Sequence, residues 1–250
     1  MKIIRNRRNS LDNELNAQAL DHKNVTKIKT VQFRADCSIL IMEYVGQNNL
    51  QALLHKKCDN LKENKLDFLH QICSGLRHCH DKLVAHLDLK PANILITSKG
   101  QCKIADFGCS KTLKEVSEQR DVQDECIGTP GYQAPEMFKD KLICLKSDVF
   151  SLGIIMWQLV TGEAQPYPDW HPHTIIFKVV TEDVRPCIEP PTKLTKFKDL
   201  YSDCWNKNPA KRPDARKVLQ SVIKLSKSPS ASTSMLNVST SSRRSSGLRI

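Results

Sequence analysis

The spacing of apolar positions changes twice along this chain, and each change marks a boundary. Over residues 1–45 a short apolar start (Met1, Ile3, Ile4) precedes a helical stretch at 11–20. Two runs with strand character follow at 25–33 and 37–44, the second with an apolar centre, Ile39-Leu40-Ile41-Met42. The polar tetrapeptide Gly46-Gln47-Asn48-Asn49 reads as a connector. From residue 50 to 225 the pattern is mostly helical, interrupted by short strands at 94–97 and 102–105 and a long loop over 106–136. The run 149–160 is apolar apart from Ser151, Gly153 and Gln158; too short to span a bilayer, it predicts a buried core helix. After Leu225 apolar residues nearly vanish among Ser, Thr, Arg and Lys, so 226–250 is predicted to be a disordered tail. No internal repeat is visible.

Composition narrows the function classes. With 40% hydrophobic and 26% charged residues in 250, the chain reads as a soluble globular protein. A net charge of +11 would suit nucleic acid or an acidic membrane surface. However, Lys227, Arg243, Arg244 and Arg249 belong to the tail, and no basic run is interleaved with aromatics, so no specific nucleic-acid partner is expected. The N-terminus, Met-Lys-Ile-Ile-Arg, lacks the apolar core of a signal peptide, and no membrane contact is expected. Ten cysteines without a C-x-x-C pair argue against zinc and for a reduced, cytoplasmic setting. Oligomeric state leaves no mark on the sequence.

Chemistry concentrates in one segment, His86-Leu87-Asp88-Leu89-Lys90-Pro91-Ala92-Asn93. Asp88, Lys90 and Asn93 put three polar groups on one loop ahead of the apolar strand Ile94-Leu95-Ile96, which would hold them still. Taken alone, Asp88 is a loop carboxylate capping a helix, and Asp106-Phe107-Gly108 is an ordinary turn. Together and in register they resemble the catalytic and metal-binding segments of protein kinases. The stretch Gly128-Thr129-Pro130-Gly131-Tyr132-Gln133-Ala134-Pro135-Glu136 resembles the loop on which kinases seat a substrate peptide.

That resemblance implies an α+β, two-lobed protein-kinase-like fold, with an incomplete small β lobe at 1–45 and a mainly helical large lobe at 46–225. It implies ATP and Mg²⁺ as cofactors. Asp88 would accept the proton of a substrate hydroxyl, Lys90 would neutralise the transferring phosphoryl group, and Asn93 and Asp106 would ligate magnesium. Glu136 would pair with Arg212, and Asp148 would anchor the catalytic loop as well as opening its helix. Met42 would face the back of the nucleotide pocket, the backbone of Glu43 and Val45 would bind adenine, and Leu95 would pack beneath the base. Lys2 fits the strand lysine that meets the α and β phosphates, and Glu14 its helix partner. The alternative is a terminal lysine and an ordinary exposed helix charge. No glycine-rich loop precedes Met1, so either Met1 is an internal methionine of a longer protein or the chain is not a working kinase.

Within the family the resemblance is to the Mos group of serine/threonine kinases, carried by the catalytic segment, Asp106-Phe107-Gly108-Cys109-Ser110 and Glu14-Leu15-Asn16-Ala17. It implies a protein substrate, specifically a MAP kinase kinase, and a role as a MAP kinase kinase kinase. Leu87 stands where kinases usually carry an arginine that reads an activation-loop phosphate, which argues against loop phosphorylation as the main on-switch. A non-catalytic kinase-like binding or scaffold module is the second reading. Smaller expectations concern Arg243-Arg244-Ser245-Ser246, a target for a basophilic kinase or an inert tail, and Cys109, an accessible thiol or a buried apolar residue.

Overall fold

The computed structural model describes residues 1–5, 8–56, 59–114, 120–121, 128–187 and 194–227. The first part of the chain forms β1 (Lys2–Arg5), α1 (Arg8–Leu15), β2 (Ile28–Phe33) and β3 (Cys37–Met42). Strand β3 lies between the other two, antiparallel to both, with Lys2 opposite Leu40 and Val31 opposite the same residue on the other side. Leu40 is fully buried, as the centre of the most apolar run in this region should be.

Next come β4 (Asn48–Asn49), α2 (Leu50–Lys56), α3 (Asp59–Asp81), β5 (Val84–Ala85), β6 (Ile94–Ile96), β7 (Cys102–Ile104) and β8 (Lys111–Thr112). The chain continues through β9 (Arg120–Asp121), α4 (Pro135–Lys139), β10 (Leu142–Ile143), α5 (Leu145–Thr161), α6 (Pro172–Thr181), α7 (Lys196–Cys204) and α8 (Ala215–Ser226). The axis of this part is α5. Val149 to Val160 are buried without exception, the state of a helix surrounded by protein. It ends at Gly162, whose φ of +83° suits glycine at a helix C-terminus. Helix α3 buries Phe68, Leu69, Ile72, Cys73, Leu76 and Cys79, a helical stripe packed between α5 and α8.

Several predicted boundaries need correction. The strand expected from residue 25 begins at Ile28, because the backbone before it pairs elsewhere. Ile104 N donates to Asn24 O at 2.9 Å, Thr26 N donates to Ile104 O at 2.8 Å, and Val25 forms an isolated parallel bridge to Ile104. The helix expected over 11–20 gives way after Leu15 to a 3₁₀ turn over Asn16–Ala19. In the connector, Asn48 and Asn49 pair with Ile96 and Leu95 to form an edge strand. The long loop is not featureless either: β8 pairs with β5, and β9 with β10. Helix α8 runs through Ser226; the rest of the predicted tail, from 228 on, lies outside the described residues, as does Arg243-Arg244-Ser245-Ser246.

Candidate active site

One buried carboxylate fixes the loop between β5 and β6 from behind. Asp148, in the first turn of α5, accepts the backbone N–H groups of His86 (2.8 Å) and Leu87 (2.7 Å) and lies 2.9 Å from His80 Nε2. These bonds hold Leu87 at φ +64°, a left-handed conformation costing a non-glycine residue about 1–2 kcal/mol. His86 is a packed core residue, its Nε2 3.1 Å from Ala105 O and its ring tilted against Phe107.

On that support Asp88 gathers three partners. Its Oδ2 lies 2.8 Å from Lys90 Nζ and accepts Asn93 Nδ2 at 3.1 Å, while Oδ1 accepts the Thr129 hydroxyl at 2.8 Å. Lys90 also donates to Thr129 Oγ1 at 2.5 Å, closing a triangle of carboxylate, ammonium and hydroxyl. Thr129 is a residue that sequence reasoning placed on the substrate loop without this contact. The approach depends on Gly128, at φ +46°, where a Cβ would lie 2.6 Å from Leu87 O. Asn93 Nδ2 also donates to Asp88 O at 2.9 Å, which leaves its amide oxygen as the end that could meet a cation.

A second cluster joins β1, α1 and the start of the long loop. Lys2 Nζ bonds to Glu14 Oε1 and lies 2.6 Å from Asp106 Oδ1, across 12 and 104 residues of sequence. Gly108 lets the three close together, since a Cβ there would stand 3.3 Å from Asp106 Oδ1 and 3.4 Å from Glu14 Oε1. Burial works against the Lys2 ammonium, but its bonds to Asp106 and Glu14 outweigh it and its pKa ends above the ordinary lysine value. Burial also pushes Asp106 up; Lys2 overrides it and holds that carboxyl below the usual range. Glu14, only 2% exposed at its side chain, goes the other way, with burial raising it and Lys2 drawing it back in part. Geometry supports the Lys2 direction, because two acceptors share its protons.

Asp106 and Asn93 supply a carboxylate and an amide oxygen, the hard donors that magnesium prefers. Among the described residues no group of three or more His, Cys, Asp and Glu could hold a metal unaided. A cation here would complete its shell with water and nucleotide oxygens, as magnesium commonly does. The fit is therefore good for a nucleotide-borne ion.

The base end is defined more loosely. Met42 is half-buried against the core, Val45 is buried, and Leu95 is half-buried in β6. The Glu43 N–H already donates to Lys27 O at 2.9 Å, leaving its carbonyl for a base edge. The Glu43 carboxylate accepts Lys27 N and Lys103 Nζ, both at 2.8 Å. Beside this connector a cleft of about 570 Å³ opens, lined by Tyr44, Val45, Gly46, Thr97 and Lys99. It contains none of Asp88, Asn93 and Asp106, so it is not the reacting centre. Farther out, Arg212 donates to both Glu136 oxygens at 2.7 Å, the expected tether of the substrate loop. Cys109 is half-buried, between the two states expected for it.

A family model for the protein kinase domain matches residues 1–223. The chain belongs to the protein kinase family. Its relatives include the serine/threonine-protein kinase mos of Patiria pectinifera, 32% identical over 220 residues, covering 85% of this chain and 62% of that protein. The mos kinase of Xenopus laevis is also 32% identical, over 88% of this chain and 67% of its own. Mitogen-activated protein kinase kinase kinase 12 of Rattus norvegicus is 32% identical over 80% of this chain and 22% of its own. The kinase thus spans about two thirds of the length of the mos relatives it matches. Among its described residues no helix is long and apolar enough to cross a membrane.

Proposed function

We propose that this kinase transfers the γ-phosphoryl group of ATP, with Mg²⁺, to a serine or threonine of a protein substrate. The observation that carries the reading is a pair of clusters, Asp88 with Lys90 and Asn93, and Asp106 with Lys2 and Glu14, on segments joined where Ala105 N donates to Asn93 O at 2.9 Å. In this reading residues 1–45 and 46–225 are the two lobes. Bound Mg²⁺ would supply positive charge to neutralise the phosphates. Asn93 and Asp106 would hold it, and Lys2, steadied by Glu14, would hold the α and β phosphates. Met42, Val45, Leu95 and the Glu43 carbonyl would border the base. Asp88 would orient the hydroxyl and take its proton, with Lys90 and Thr129 fixing the carboxylate and Lys90 meeting the moving charge.

Similarity to mos and to mitogen-activated protein kinase kinase kinases supports a MAP kinase kinase as substrate. The test is phosphate transfer from labelled Mg·ATP to a recombinant MAP kinase kinase. Asp88→Asn is expected to lower kcat by about 10²–10⁴ while the protein still folds and binds its substrate. Transfer unaffected by Asp88→Asn would remove Asp88 from the reaction. Substrate capture without any transfer by the wild type would favour a kinase-like binding module instead.

A further inference from the structure

Helix α1 carries more than Glu14. Asn13 and Asn16, on either side of that residue and its neighbour, reach the segment that follows Asp106 through five hydrogen bonds. Asn13 Nδ2 donates to Gly108 O at 2.9 Å, and Asn13 O accepts the Ser110 hydroxyl at 2.6 Å. Asn16 Nδ2 donates to both Ser110 O and Ser110 Oγ at 3.0 Å, while Asn16 Oδ1 accepts the Thr112 hydroxyl at 2.9 Å. Ser110 is fully buried and Asn13 nearly so, which makes these bonds costly to leave unmade. The Asn16 amide uses both ends, and that fixes its orientation.

The far side of the same segment is also held. Lys111 and Thr112 pair with Ala85 and Val84, and Leu113 N donates to Leu83 O at 2.8 Å. Strand β5 runs directly into His86, Leu87 and Asp88. The segment over 108–113 is therefore gripped between α1 and the root of the catalytic loop. Leu87, buried in the core, offers no charge with which a phosphate could do this work.

We infer that Asn13, Asn16 and Ser110 form a latch that sets Glu14, and through it Lys2, in register with Asp106 and the catalytic loop without a phosphate. These are positioning residues, and the inference rests on the proposed role of Lys2, Glu14 and Asp106. It explains why α1 tightens into a 3₁₀ turn at Asn16: the tighter turn accompanies the reach of that side chain to Ser110.

The experiment is hydrogen exchange on the full chain, phosphatase-treated and without nucleotide. Asn16→Asp replaces two donated bonds with repulsion between oxygens at constant shape; Thr112→Val is a milder variant that removes one hydroxyl. Both are expected to speed amide exchange at 13–19 and 108–112 together, about five- to tenfold or more, while α8 stays unchanged. In transfer assays the same variants are expected to raise KM for Mg·ATP and leave KM for the protein substrate unchanged. Combined with Ser110→Ala, Asn16→Asp should add less than it does alone, since the two variants share the bond from Asn16 Nδ2 to the Ser110 hydroxyl. Unchanged exchange at 13–19 in Asn16→Asp, or an equal rise across all helices, would overturn the latch. If wild type lacks protection there until phosphorylated, it is likewise overturned. The exchange result stands apart from catalysis: a responsive latch in a chain that transfers no phosphate would support the inference while rejecting the proposed function.

Discussion

Arg212 illustrates how much one residue can carry. Its guanidinium is wholly buried, bonds both oxygens of Glu136, donates to the carbonyls of Asn206 and Lys146, and lies over the Phe150 ring. Such a pair is expensive to desolvate and gains little over a well-packed apolar pair, but breaking one half strands a buried charge. Arg212→Met is expected to cost about 3–5 kcal/mol, read as a fall in the urea midpoint at constant m-value. Replacing both partners with apolar residues of similar volume should recover much of that loss. The Arg–Pro signal after the last loop was legible in the sequence, as was the acid of Ala134-Pro135-Glu136. The backbone carbonyls and the aromatic ring that complete the site were not, because nothing local ties Phe150 or Asn206 to Arg212.

At the scale of elements, the segment from residue 22 to 26 ties the strand-rich region to α3 and β7. Asn24 Nδ2 donates to Gln71 Oε1 at 3.0 Å and to Cys102 O at 2.8 Å, and a Cβ on Gly75 would stand 2.7 Å from Asn24 O. Where the segment begins, the His22 and His78 rings stack with centroids 5.0 Å apart. Burial lowers the pKa of each; His22 is lowered further by His78, Arg77, Lys23 and Lys103. Lys82 and Arg77 lower His78 in the same way, against weaker opposing pulls from Asp81 and Asp21. A histidine with a lowered folded pKa binds fewer protons folded than unfolded, so stability rises with pH through this window. The contribution is complete above the ordinary value of 6.5 and is lost as pH falls towards the lowered pKa. The urea midpoint is therefore expected to fall between about pH 7.5 and 5.5, and His22→Phe should flatten that fall. An equal pH dependence in His22→Phe would place the effect elsewhere. Strand periodicity alone extended β2 back over this segment; its backbone bonds to Ile104 were decided by packing.

For the molecule as a whole, the buried axis of α5 and the stripe on α3 place most described cysteines out of reach of solvent. Cys73, Cys79, Cys102 and Cys204 are buried, and burial raises every one of those thiols, Cys102 to about 12. A thiol raised that far carries almost no thiolate near neutrality. Among the described cysteines, iodoacetamide at about pH 8 should therefore label Cys187 first, then the half-buried Cys37 and Cys109, and spare Cys73, Cys79, Cys102 and Cys204 until the fold opens. Peptide mapping after labelling, with and without denaturant, reads this directly. Labelling of Cys73 or Cys204 in the native protein would contradict the packing around α5. Slower labelling of Cys109 with Mg·ATP present would further indicate that nucleotide occupies the space beside Asp106.

The sequence by itself determined the order and identity of the candidate site groups, because each sits in a short segment with its own spacing. Asp88, Lys90 and Asn93 share one loop, Asp106 opens the next, and the helical period beyond residue 50 announces the large core. It also suggested the partnership of Lys2 with Glu14, from order along the chain. Tertiary structure alone decided which polar groups meet across long separations: Thr129 with Asp88 across 41 residues, and Asn16 with Ser110 across 94. A buried polar side chain requires a partner, yet periodicity and propensity are local and name none. Only the packing of α1 and β5 on either side of one short segment settles that choice.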